Sequence, residues 1–181
     1  MPTVFSHALT GLAIATVIRA PGSLGRLGSA GALGAVVPDL DVVVHWFGVP
    51  WGHVLGHRGM SHSLGFAAVL AALVVGAMFR GPTGGDRRGV LWVVLFLATA
   101  SHGVLDAMTS GGPGVALFAP FDETRYFLPW RPIPVSPISP SRFFTRRGLD
   151  IMQAEVLLLW LPTAALAIVG AVVRGRRRGR A

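Results

Sequence analysis

Apolar residues run along this chain in five blocks, and polar residues gather at the ends of the blocks rather than on a repeating face. A bilayer asks for about 20 apolar residues in a spanning helix, fewer for a half-span. Val4 to Ile18 is a short block interrupted by Ser6, His7 and Thr10, which predicts a short membrane helix with one polar side. No basic residue precedes it, which argues against a secretory signal. Leu27 to Phe47 is a second block, cut by Pro38-Asp39-Leu40-Asp41. Proline lacks a donor and turns the residue before it away from helix, so a kink or restart is expected there. Ser61 to Phe79 and Val90 to Met108 are cleaner spans, the latter turning polar at Ser101, His102 and Asp106. Gln153 to Val173 is the last, with Pro162 as its expected kink. Between them lie the Pro21-Gly22 turn, a Trp/His/Gly/Pro-rich loop from Gly48 to Met60, and an Arg/Gly turn from Arg80 to Gly89. The stretch from Thr109 to Asp150 is too rich in proline for regular helix. A basic tail over 174–181 ends the chain.

Composition sharpens this picture. The 181 residues are 52% hydrophobic and only 13% charged, with a mean hydropathy of +0.60. Soluble domains carry about 25% charged residues, so this chain has too little polar surface to face water on all sides. The expectation is one domain over 1–181: an all-α integral membrane bundle of about five spanning or half-spanning helices. All 16 basic residues are arginine, giving a net charge of +8. They sit in turns and the tail between apolar blocks, a pattern of membrane topology rather than of a nucleic-acid-binding face. With the N-terminus outside, Arg19/Arg26, Arg80/Arg87/Arg88 and the tail fall inside, while the arginines of the long loop fall outside against the tendency. The absence of cysteine excludes disulfides and thiolate metal sites.

Threading five crossings brings the polar residues to one membrane face: His7, Asp39 and Asp41, His57 and His62, and His102 with Asp106. Reversing the whole chain preserves that convergence. Ionisable groups at membrane depth are expensive and mark function. Histidine and carboxylate together suit zinc, manganese or iron. His102 and Asp106 share a helix face at i, i+4, a spacing that fits a metal or a plain ion pair. Asp39 and Asp41 point in different directions on a helix, so one can bind metal while the other orients a ligand. His45, in a His-Trp-Phe stretch, and His53, in a Gly-rich loop, are weaker candidates.

His7, Pro38-Asp39-Leu40-Asp41, His57-Arg58-Gly59-Met60-Ser61-His62-Ser63 and His102-x3-Asp106-x2-Thr109, in that order, resemble the LexA-regulated, membrane-bound metal-dependent hydrolase family of bacterial inner membranes. That family is regarded as distantly similar to zinc-dependent phospholipase C. The resemblance implies an all-helical fold with clustered metals. Its ligands would be His7, Asp39, His57, His62, His102 and Asp106, with Asp41 an additional one.

The mechanism expected is metal-assisted hydrolysis of a phosphoester, on a lipid or lipid-linked phosphate, with one or more zinc-like ions activating water. Asp41 or Asp39 would accept the water's proton. Arg58 would clamp a phosphate through its planar fork, or else anchor at the headgroups or pair with Asp39 or Asp106. Thr109 and Ser61 would support ligands or cap helices. The aromatic and arginine residues between Gly111 and Arg147 suit contact with lipid headgroups. Two other readings are a divalent metal transporter and a non-catalytic protein stapled by metal. Ligands gathered at one end of the helices favour a site open to one side over a transport site at mid-membrane.

Overall fold

The shortest apolar block is the centre of the bundle, not its periphery. The computed structural model describes residues 1–17, 24–80, 87–137 and 139–178; the Pro21-Gly22 turn, residues 81–86 of the Arg/Gly turn and the last three residues of the tail lie outside them. Helix α1 (Val4–Val17) packs on α2 (Leu24–Gly34), on α4 (Arg88–Ala107) and on α7 (Leu161–Arg178), while α3 (Leu64–Met78) pairs with α4. The fold is all-helical: among the described residues there is no strand, only the isolated bridges Thr109–Ile133 and Val115–Tyr126. Three stretches, Gly25–Phe47, Arg88–Ala107 and Arg146–Gly170, are long and apolar enough to cross a membrane, and Val4–Val17 and Leu64–Met78 are shorter apolar helices. Leu73, Leu161, Leu166 and Ile168 are exposed on the outside of these helices, as lipid-facing residues of a membrane bundle are.

The second block restarts where proline demands it. α2 ends at Gly34, and Pro38 then stands in the first turn of a 3₁₀ helix, Val37–Phe47, where a missing N–H leaves no hydrogen bond broken. Gly48 closes that helix at φ +83°, a left-handed conformation that glycine adopts without strain. Eleven residues are long for this tighter helix, whose runs rarely exceed three or four. Its three residues per turn set Asp39 and Asp41 about 120° apart, so the two carboxylates serve different neighbours.

The last block begins earlier than its apolar run suggests. α6 (Arg146–Glu155) leads into a widened π turn, Val156–Trp160, before α7, and a four-residue helix, α5 (Pro140–Phe143), precedes it. Pro162 offers no N–H to the preceding turn; the disturbance expected at it is taken up just upstream, where Leu161 N–H reaches back to the Val156 carbonyl.

One end of the bundle is purely apolar. Ala15, Leu27, Ala30, Ala71, Val75, Leu91, Val94 and Leu95 form its core. α1 and α2 cross there almost backbone to backbone. A Cβ built on Gly31 would lie 2.7 Å from both the Ala15 methyl and the Gly11 carbonyl. Small residues at such crossings are what let membrane helices gain packing, since hydrocarbon gives them no hydrophobic drive. Gly31→Leu should therefore force the helices apart and cost about 1–3 kcal/mol, as overpacking does. Thermal unfolding in detergent would show it, and unchanged stability would refute this account of the crossing.

Candidate metal centre

The opposite end holds the ionisable residues. Five separate elements deliver them: α1 brings His7, the 3₁₀ helix Asp39 and Asp41, the loop before α3 His57 and Arg58, its terminal turn Met60–His62 His62, and the last turns of α4 His102 and Asp106. Ser63 caps α3 by accepting a hydrogen bond from the Phe66 N–H, which fixes the turn carrying His62. Gly103 lets α4 press against that turn, for a Cβ there would run into the His62 carbonyl.

One ligand atom each from Asp39, His62, His102 and Asp106 lies within 4.8 Å of the others, and Asp41, His57 and His62 form a second such group. In the first group His102 Nε2 stands 3.4 Å from Asp39 Oδ1 and 3.0 Å from His62 Nε2. His62 Nε2 is 3.7 Å from Asp39 Oδ1 and 3.5 Å from Asp106 Oδ2. His7 stacks on His102 with ring centroids 3.7 Å apart, and its Nε2 is 3.6 Å from Asp106 Oδ1.

Their neighbours settle the tautomers. His102 Nδ1 lies 2.7 Å from the Ala35 carbonyl, which can only accept, so Nδ1 carries the hydrogen and Nε2 the lone pair. His62 Nδ1 lies 3.1 Å from Asp41 Oδ2 and 3.0 Å from Ser61 Oγ, whose own hydrogen goes to Asp41 at 2.6 Å. His62 too must donate through Nδ1 and present a lone pair at Nε2. With both rings neutral, two lone pairs face each other at 3.0 Å, beside two buried carboxylates. Both oxygens of Asp39 and of Asp106, and both nitrogens of His7, make no hydrogen bond, and Asp106 Oδ2 has only its ion pair with Arg58 and the nearby imidazole. Buried polar atoms are very rarely left so, and this set shares one volume. A hard or borderline divalent cation fits it: imidazole nitrogens and carboxylate oxygens free of hydrogen bonds are the donor set of zinc, manganese or iron.

The second group is already internally satisfied. Asp41 lies 2.8 Å from His57 Nδ1 and also accepts from Ser61 Oγ and, at 3.2 Å, from the Arg58 N–H. Asp41 thus orients His57 and His62 together. Arg58 is 1% exposed, with Nε 3.0 Å from Asp106 Oδ2, one terminal nitrogen donating to the Gly111 carbonyl and the other to Thr109 Oγ1. Of the roles open to it in the sequence, the geometry draws the pairing with Asp106. Thr109 in turn donates to the Asp106 carbonyl at 2.7 Å, binding the end of α4 to the arginine. Helix capping was the simpler expectation for Ser61; its hydroxyl instead holds Asp41, and the cap is Ser63. His45 and His53 stand apart from the cluster, His45 accepting from Trp51 Nε1 and His53 from the Leu55 N–H.

Two residues whose roles the sequence did not indicate hold this arrangement. Glu155 is fully buried and accepts from the Thr3 N–H at 2.7 Å and from the hydroxyls of Thr3 and Ser6 at 2.5 Å. It pins the first turn of α1, and with it His7, to the last helices. A lone acid inside an apolar block was its signal. Arg125 spans the carbonyls of His57 and Arg58 with one nitrogen and those of Trp51 and His53 with the other. Burial holds its guanidinium below the ordinary arginine value, and the nearby Arg58 charge acts the same way. The paired main-chain bonds of Val115 and Tyr126, both 2.9 Å, set Arg125 in reach of those carbonyls.

Comparison with known proteins gives this geometry a family. A family model described as YdjM inner membrane protein matches residues 1–178. Inner membrane protein YbcI of Escherichia coli (strain K12) is 40% identical over 162 residues, spanning 90% of this chain and 92% of the relative. No solved structure matches.

Proposed function

The chain belongs to the YdjM inner membrane protein family, and from that premise we propose that it is a metal-dependent hydrolase of the bacterial inner membrane, acting on a phosphoester. The inner-membrane location accords with its three membrane-length stretches. The hydrolase reading, of the LexA-regulated kind, rests on the motif resemblance and on one observation above all: imidazole nitrogens 3.0 Å apart set among buried carboxylate oxygens that make no hydrogen bond.

Asp39, His62, His102 and Asp106 would hold a divalent cation, with His7 at their edge. When bound, such a cation supplies Lewis acidity toward a phosphoryl oxygen and makes water acidic enough to attack near neutral pH. The chain's own residues do the rest. Asp41 accepts the Nδ1 hydrogen of His57, leaving Nε2 of that ring to take a proton and return it to a leaving group. Arg58 keeps Asp106 ionised and aligned. His57 and Arg58 both line a cavity of about 220 Å³ with Trp51 and Pro113.

The test is metal analysis of detergent-purified protein together with hydrolysis of bis(p-nitrophenyl) phosphate, with and without chelator. Bound zinc, manganese or iron and chelator-sensitive cleavage are expected. Metal bound without cleavage of any phosphoester would hand the site to the structural reading, and zinc flux into proteoliposomes to the transport reading.

A further inference from the structure

A second cavity, of about 400 Å³, lies between the start of α1, the 3₁₀ helix and α5, lined by Val4, Phe5, Val36, Leu40, Phe143 and Phe144. That volume falls in the range of ligand-binding clefts. Asp39 stands in its wall and is also one of the four residues of the candidate metal group, so cavity and centre meet at one carboxylate. Met1 and Ser136 line both this cavity and the smaller one beside His57 and Arg58, which makes the two volumes neighbours around the cluster.

The rim is as apolar as the interior: Phe5 is 54%, Leu40 62% and Phe144 84% exposed. In an inner-membrane protein such residues face hydrocarbon, and here they surround an opening instead of a packed helix face. Immediately beside Phe143 and Phe144 stand Arg142, Arg146 and Arg147, all exposed. Cations next to an apolar mouth at the end of membrane-length helices match a molecule with a hydrocarbon body and an anionic head.

We propose that this cavity seats one hydrocarbon chain of a phosphate-bearing bilayer lipid, which enters sideways from the membrane with its phosphate at the Asp39 end. The proposal rests on the hydrolase reading for the fate of that phosphate, but not for the binding. Arg142, Arg146 and Arg147 meet the headgroup as it arrives, and Phe5, Leu40 and Phe144 guide the chain.

The experiment uses the full chain in nanodiscs containing a phosphatidic acid analogue with a diazirine midway along one acyl chain. Irradiation and peptide mapping should place adducts on Phe5, Leu40 and Phe144 several-fold more often than on Leu166 and Ile168, which face lipid without a cavity. Val42→Trp, which fills the cavity from the 3₁₀ helix, should abolish that excess. If that variant does not fold, Val4→Trp at the rim serves the same purpose. Adducts spread evenly over all lipid-facing helices, or an excess that survives cavity filling, would overturn the proposal whatever the hydrolysis screen finds. Adducts confined to the cavity of a protein that cleaves no phosphoester would support the seat and defeat only the hydrolase reading.

Discussion

His102→Ala is expected to weaken metal binding by more than about 100-fold, beyond the 10–100-fold that losing a residue which merely supports a ligand typically costs. The ring is fully buried at the centre of the cluster. Its Nδ1 is anchored on the Ala35 carbonyl, and its Nε2 is presented to His62 and Asp39. Alanine removes that lone pair and the stacking surface for His7. His45→Ala is the control, since His45 is exposed and engaged only with Val49 and Trp51. Competition titration with a chromophoric chelator reads the affinity, and elemental analysis the stoichiometry. A His102→Ala protein that binds metal like the parent would remove the centre as drawn here.

The second large effect concerns stability. Arg58→Ala should destabilise the protein by about 3–5 kcal/mol, the range for removing one partner of a buried ion pair. Asp106 is fully buried, and Arg58 Nε at 3.0 Å is its nearest fixed cation. The loss should be larger in chelator than in saturating metal, because a bound cation would compensate the same carboxylate. Arg58 also sits at φ +61°, a conformation costly for any residue with a side chain. Arg58→Gly should accordingly lose less than Arg58→Ala, by up to about 1 kcal/mol. Denaturation of both variants with and without chelator separates the two contributions. Equal stability of Arg58→Ala and parent in chelator would show that Asp106 is neutral or solvated in the folded protein.

Much of the site was legible before any coordinates, for a reason peculiar to membranes. A histidine on a soluble helix has many innocent explanations, whereas His7, Asp39, His62, His102 and Asp106 in apolar blocks have few. The restart at Pro38 was equally plain, because proline's missing donor acts locally. Which aspartate takes which role was not. Asp39 and Asp41 look interchangeable in Pro38-Asp39-Leu40-Asp41, yet one is bare and the other accepts several hydrogen bonds. That follows from which elements pack against each carboxylate, His57, Arg58 and Ser61 all meeting Asp41. Arg125 looked like a headgroup residue because its role is to gather carbonyls from a loop some seventy positions earlier, which no local pattern encodes.

What the chain's order of residues determined by itself was the number and place of the apolar blocks, and the gathering of imidazoles and carboxylates at one end of them. Both follow from the cost of polar groups in hydrocarbon, a cost paid residue by residue. Only the folded arrangement decided which nitrogen of His62 and His102 bears the hydrogen, which aspartate is left bare, and that Arg58 serves Asp106. Those depend on distances between elements far apart in sequence, where a shift of one ångström makes or breaks a hydrogen bond.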